Sequence, residues 1–374
     1  MCPPNAGAMC RAWRPLLYHF AVSHDRCFEW AFRKWARLLK SDLGADASGM
    51  VRLNGKTILV ASVLTITTSS QGLLTSASKH DGSYRYNFAT VPFLAELLKL
   101  VISSALLQRQ KRVNPDAAKV TRQWRTSLLY LVPSIIYWLH NNVQFVTLRY
   151  VDPATYQIMG NLKIVTTGLL LWLCLRRQLS ALQWMALALL MIGATVSQLK
   201  TGCEGSSLFS APVTGYVFGV VSAFLSAMAA VYTEWVMKRN NDSLYWQNIQ
   251  LYTFGVAFNA LGLVLGDLRA GFGSGLWLFR LFKGYDWVTV MVVANLAFSG
   301  LLVSWVMKFA DSILKVYATS MAMLVTTVVS VLFFALQPSL QLLLGIVTAC
   351  ISLVLYYVSP ALLLETGKAQ RLPK

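Results

Sequence analysis

Residues 156–170 read YQIMGNLKIVTTGLL, an almost wholly apolar run that carries one full positive charge, Lys163. Such a run belongs in a bilayer, where an ionisable side chain at a helix centre costs about 2.5–3.5 kcal/mol and by default marks a site or pathway. The rest of the chain agrees. Of its 374 residues, 56% are hydrophobic and 13% charged, and the mean hydropathy is +0.53. Soluble domains carry about 25% charged residues. Apolar blocks of membrane-spanning length recur along the chain, each bracketed by polar or Gly/Pro-containing links. This is one polytopic all-α membrane body, not a string of soluble domains.

Ten spans are expected, near residues 57–76, 86–107, 127–148, 153–175, 180–198, 212–236, 249–267, 287–307, 313–336 and 338–363. Basic residues sort the links between them. One set holds Arg109, Lys111, Arg112, Lys119, Arg122 and Arg125, then Arg176 and Arg177, then Lys238 and Arg239, then Lys308 and Lys315. The C-tail adds Lys368, Arg371 and Lys374 to that side. The opposite links hold fewer: Lys79, Arg85, Arg149, Lys200, Arg269, Arg280 and Lys283. The richer side is the cytosolic one, so both termini face the cytosol and the span count is even.

An internal repeat supports the count. IVTTGLLLWLCLRRQLSALQW (164–184) returns about 160 residues later as LVTTVVSVLFFALQPSLQLLL (324–344). Each copy pairs a VTT step with a span, a short polar link and a further apolar helix. With five spans per half the second copy is inverted, which places a ligand site between two five-helix repeats and allows alternating access. The domain reading is then an extension over residues 1–49, a ten-helix domain over 50–363 and a cytosolic tail over 364–374. Within the extension, CFEWAFRKWARLLK (27–40) could form an interfacial amphipathic helix. Met50, in MVRLNGKTILV, reads as the natural start.

The excess of 33 Lys+Arg over 15 Asp+Glu has two readings. Nucleic acid binding is argued against by the apolar mass. Basic cytosolic loops with an anionic ligand fit it. The six cysteines form no disulfide framework or metal cluster, and no cofactor is implied. Nor is there a Walker loop, a GxSxG elbow or a paired carboxylate in a polar loop, so catalytic machinery is not expected. The NDS sequon at 241–243 is discounted because it falls on the cytosolic side.

The polar groups inside the spans are few, and each has a structural alternative. Lys163 shares a face with Tyr156, and Gly160 between them leaves room beside the helix. Its alternative is an ion pair with Glu96. Tyr137 and Asn141 in span three, and Asn248 and Tyr252 in span seven, repeat a phenol and an amide at i, i+4 spacing; the amides could instead bond between helices. Ser304, Lys308, Asp311 and Lys315 gather where span eight turns into span nine. There Lys308 is expected to snorkel, and Asp311 can cap a helix. Glu96 and Lys99 read as an internal helix pair. The set suits a ligand with a phosphate and a base: lysines for the phosphate, amides and tyrosines for the ring.

NNVQFVTLRYVDPATYQIMGNLKI (141–164) resembles the signature of the nucleotide-sugar transporters, in the branch of the CMP-sialic acid, UDP-galactose and UDP-N-acetylglucosamine carriers. EWVMK (234–238), SLYWQNIQLY (243–252), FKGYDW (282–287) and SGLLVSWVMKFADSILKVYATS (299–320) extend the resemblance over about residues 55–362. It implies a ten-helix drug/metabolite-transporter fold in the Golgi membrane, exchanging cytosolic nucleotide sugar for luminal nucleoside monophosphate. It also implies that Tyr137, Asn141, Tyr156, Lys163, Asn248, Tyr252, Ser304 and Lys315 contact the ligand. The lysines would meet phosphate, and Asn248 and Tyr252 the pyrimidine. The chain departs from the sialic-acid carriers at His140, where they have glutamine, and NLAFSGLLVSW (295–305) leans toward a UDP-sugar. Expected partners are the bilayer and the two nucleotide ligands, with self-association or glycosyltransferase complexes compatible. The competing classes are a membrane sugar or phosphate transferase and a transport-inactive scaffold for Golgi glycosyltransferases.

Overall fold

A computed structural model describes residues 55–79, 84–151, 153–199, 212–271, 275–333 and 340–357. The expected extension (1–49) and C-tail (364–374) lie outside them. The chain divides into a unit of residues 1–56 and one of 57–374, and the second holds the helical bundle.

The described residues are all helical, with no strand among them. In chain order the helices are α1 (Gly55–Ala77), α2 (Thr90–Val113), α3 (Trp124–Tyr150), α4 (Pro153–Gly160), α5 (Leu162–Leu175), α6 (Ala181–Val196), α7 (Val213–Arg239), α8 (Leu244–Arg269), α9 (Trp287–Phe309), α10 (Ser312–Phe333) and α11 (Leu340–Tyr357). Each of the ten apolar blocks becomes helix. Eight segments are long and apolar enough to cross a membrane, counting 155–175 as one. The other two are α3, which is long but broken by polar groups such as His140, Asn141, Asn142 and Gln144, and α6, which is apolar but has only 16 residues.

The block read as one span over 153–175 is two helices. The α-helical bonding is interrupted at Asn161 by two tighter bonds, Asn161 N to Ile158 O at 3.1 Å and Ile164 N to Asn161 O at 3.0 Å, and the Asn161 side-chain amide donates to Thr195 Oγ1 on α6 at 3.3 Å. Lys163 therefore sits in the first turn of α5, not in the middle of a continuous helix.

Local chemistry sets the helix ends. Ser180 and Gln183 form a reciprocal capping box at the start of α6. Asp286 accepts from Thr289 N at 2.8 Å to start α9, and Asp311 accepts from Leu314 N at 2.8 Å to start α10. Large apolar side chains such as Leu59, Ile66, Leu173, Val217 and Ile351 point outward, a surface that suits lipid and not water. The interior is built on α5, α6, α10 and α11 around Ile164, Leu171, Leu187, Leu190 and Tyr317. A second cluster joins α3, α7 and α9 through Tyr130, Met237 and Met307. α2 packs on α8 and α9, α3 on α7 and α8, and α6 on α11.

The links assigned to one side by their basic residues are bonded to one another. Ser243 N donates to Lys119 O at 2.9 Å, and Asp242 accepts from Thr121 Oγ1 at 2.7 Å. Arg177 pairs with Asp311 at 2.8 Å, and Glu234 accepts from Ser312 N at 2.7 Å and Oγ at 2.6 Å. At the other end Tyr285 stacks against Tyr86 and lies 2.8 Å from Thr90 Oγ1. The two sets of links thus occupy two ends of the bundle. Asp242 and Ser243 of the NDS sequon are buried, with Ser243 Oγ donating to Gln110, so the serine is occupied structurally.

Lys308 does not snorkel. Its ammonium turns inward and donates to the carbonyls of Asp242 at 2.7 Å and Asn240 at 3.2 Å, and to Gln247 Oε1 at 2.9 Å. It ties α9 to the turn between α7 and α8. Lys308→Ala would orphan those acceptors and is expected to destabilise the protein by about 1–3 kcal/mol. The check is a lowered thermal midpoint in detergent; an unchanged midpoint would contradict this role.

Candidate functional site

A cavity of about 240 Å³ lies beside this interruption. Lys163, Tyr156, Gln157, Gly160 and Asn161 line it from α4, α5 and the junction between them, His140 and Gln144 from α3, Ser222, Ser226, Gly219 and Ala223 from α7, and Met323 from α10. Gly160 has nothing within 4 Å of where a side chain would start, so it does leave the space expected of it. Tyr156 OH lies 3.4 Å from Ser222 Oγ, and Ser222 Oγ lies 3.2 Å from His140 Nδ1.

Glu96 is not the partner of Lys163. It pairs with Lys99 at 2.5 Å, one turn along α2. Among the described residues no carboxylate pairs with Lys163. Lys315 instead lies near enough for the two ammonium groups to repel, and both act on His140. Lys315 donates to Tyr137 OH at 3.4 Å, and its Nζ stands 5.7 Å from the centre of that ring. Two cations converge here without an anion.

A second polar group joins α2, α8 and α9. Tyr252 is buried, lies 2.6 Å from Ser304 Oγ and donates to Gly300 O at 3.3 Å. The ammonium of Lys99 sits 4.5 Å from the centre of the Tyr252 ring, a cation–π contact. Glycines make the room: a β-carbon on Gly300 would come 2.7 Å from Lys99 Cδ, and one on Gly255 would come 2.8 Å from Glu96 Oε2. Asn248 lies one turn from Tyr252 on α8, is 1% exposed, and has an Oδ1 with no partner among the described residues. Buried orphan acceptors are uncommon in folded proteins.

Of the eight expected site residues, Lys163 and Tyr156 share the cavity, Lys315 and Tyr137 stand together beside it, and Tyr252 and Ser304 bond to each other. Asn248 belongs to the face of α8 that carries Tyr252. Asn141 is exposed and does not line the cavity, while its neighbour His140 does. Sequence reasoning left out Ser222, which nothing separates from other serines until the fold is known. It also read Lys99 as packing alone, although Lys99 faces the Tyr252 ring. Glu234, which joins α7 to the start of α10, carried a signal in its spacing to Lys238.

A family model described as "Nucleotide-sugar transporter" matches residues 53–357. The chain belongs to the nucleotide-sugar transporter family. It is a multi-span membrane transporter, not an enzyme. It is 58% identical to the CMP-sialic acid transporter 1 of Oryza sativa subsp. japonica over 314 residues, which is 83% of this chain and 97% of that one. It is 56% identical to the CMP-sialic acid transporter 1 of Arabidopsis thaliana, over 82% of this chain and 91% of that one. A solved crystal structure shares the fold at 14% identity with a TM-score of 0.59, covering 81% of this chain and 97% of that one.

An unpaired ammonium inside a transporter is a liability until an anion arrives. Lys163→Met is therefore expected to stabilise the ligand-free protein by about 1–3 kcal/mol. The measurement is the thermal midpoint without ligand, and a fall would mean that Lys163 has a structural partner.

Proposed function

We propose that this transporter exchanges a cytosolic pyrimidine nucleotide sugar for a luminal nucleoside monophosphate across the Golgi membrane. The observation that carries this reading is the pair of lysines, Lys163 and Lys315, converging on a cavity without a carboxylate to neutralise them. A nucleotide sugar brings two negative charges, and a nucleoside monophosphate brings about 1.5 to 2, since its second pKa is about 6. Either ligand neutralises two ammonium groups, so exchange can run nearly electroneutral without an ion gradient. Lys163 and Lys315 hold the phosphate, while Asn248, Tyr252 and Ser304 face the pyrimidine. Tyr156 lines the cavity beside Lys163, and Tyr137 accepts from Lys315. The bilayer and the two nucleotides are the partners of this cycle. The names of the close relatives favour a CMP-linked sugar over the UDP-linked one suggested by NLAFSGLLVSW.

The architecture we infer is ten spans in two inverted five-helix repeats, with both termini cytosolic. Two features support it. Spans two and seven (α2, α8) pack on each other, as do spans five and ten (α6, α11), the self-matching pairs of such a repeat. The VTT steps also repeat in detail: Thr166 and Thr167 donate to the carbonyls four residues back, and so do Thr326 and Thr327. On that register Lys163 corresponds to Met323, and both line the one cavity. Rocking the halves about it would expose the site to each side in turn.

Proteoliposomes loaded with CMP test the reading against a panel of labelled CMP-sialic acid, UDP-galactose and GDP-mannose. Uptake of the CMP sugar should need trapped CMP, and GDP-mannose should be refused. Lys163→Ala and Lys315→Ala should each lower uptake by about tenfold or more, the loss of one charged contact to phosphate. Wild-type uptake by Lys163→Ala would overturn the phosphate assignment, and no uptake of any sugar would favour the scaffold.

A further inference from the structure

The end of the bundle that holds Lys119 and Asp242 keeps its cations on the surface. Between the last turns of α2 and the first turn of α3, Arg109, Lys111, Arg112, Lys119, Arg122 and Arg125 are all exposed. Among the described residues none of the six pairs with a carboxylate. The acids of this end are used elsewhere. Glu234, Asp242 and Asp311 are buried and bonded within the bundle, which leaves Asp116 as the exposed one among the described residues. The link is also pinned in place. Thr121 N donates to Asp242 Oδ1 at 3.1 Å, and Trp246 Nε1 donates to Thr121 O at 3.0 Å. These six cations therefore form a fixed face and not a loose tail.

That face begins where lipid-facing surface ends. On α2, Leu97, Val101, Ala105 and Gln108 are exposed at i+3 or i+4 spacing, and the next step along that side is Arg112. On α3, Leu139, Ile135, Val132 and Leu128 form a second exposed stripe, and one turn beyond Leu128 stand Trp124, 68% exposed, and Arg125. The Arg125 guanidinium lies 5.7 Å from the centre of the Trp124 ring. The pairing recurs at the end of α7, where the Arg239 guanidinium lies 5.0 Å from the centre of the Trp235 ring. Tryptophan settles at the level of the lipid headgroups, so guanidinium groups beside it meet lipid phosphates. A soluble anion needs the cations but has no use for the exposed indole or the apolar stripes. We infer that this face binds the headgroups of anionic phospholipids, with Arg112, Arg122 and Arg125 as its cations and Trp124 as its interfacial anchor. Such binding is independent of which nucleotide is carried.

The experiment titrates the purified full chain in neutral detergent with phosphatidylserine and with phosphatidylcholine of the same acyl chains, counting bound lipid by native mass spectrometry. Wild type should prefer the serine lipid by about tenfold or more, since each arginine near the surface contributes about 1 kcal/mol, or about fivefold. Arg112→Gln/Arg122→Gln/Arg125→Gln should lose most of that preference. Lys79→Gln/Lys283→Gln, which removes two exposed cations elsewhere on the chain, should keep it. Trp124→Ser should weaken both lipids alike. Should the triple variant not fold, the three single variants carry the test, each expected to cost about fivefold. No preference for the serine lipid in wild type, or a preference that survives the arginine substitutions, would overturn the assignment. So would displacement of the lipid by an equal concentration of glycerophosphoserine, which marks a site for soluble anions, or of polyglutamate, which marks one for an acidic protein.

Discussion

Positive charge without a counterion is the constraint around which this bundle is arranged. Several other cations among the described residues have been given partners. Lys99 has Glu96, Arg177 has Asp311, Lys238 has Glu234 and Arg280 has Asp267, while Lys308 is wrapped by carbonyl oxygens. Lys163 has none among the described residues, and Lys315 has only the phenol of Tyr137. Taking a charge out of water without a partner costs several kcal/mol. A fold that pairs those charges and leaves Lys163 and Lys315 without a carboxylate suits an anionic ligand.

The rest of the structure can be understood from that expense. The interruption at Asn161 puts Lys163 in the first turn of α5, in the wall of the cavity. Glycines at 160, 255 and 300 clear the space around the polar side chains. The ends of the bundle are tied by buried carboxylates, Asp242, Asp311 and Glu234, which cap helices and cross between links.

Much of this was legible in the sequence because bilayer chemistry is restrictive. All ten apolar blocks became helix, one of them as two helices, and the links richest in Lys and Arg are bonded to one another in space. The anomaly of Lys163 was visible at once, because a lysine in such a run is costly. What could not be read was long-range pairing. Glu96 as the partner of Lys163 was a reasonable alternative, since both are intramembrane ions, and only the packing of α2 shows that Lys99 claims it. Lys308 looked like a snorkelling end residue because the turn that wraps it is distant in sequence. His140 and Ser222 were invisible as a pair, being 82 residues apart on different helices. The interruption at Asn161 escaped notice because its backbone stays helical and only the hydrogen bonding tightens there.

Under the proposed exchange, the unpaired lysines penalise the return of an empty carrier, so it crosses back only when loaded. The most direct measurement is efflux of trapped, labelled CMP from proteoliposomes into buffer with and without external nucleotide. Efflux should be slow into plain buffer and rise sharply when CMP or a CMP-linked sugar is added outside. Equal efflux under both conditions would mean that the empty carrier moves freely and that Lys163 and Lys315 impose no such penalty.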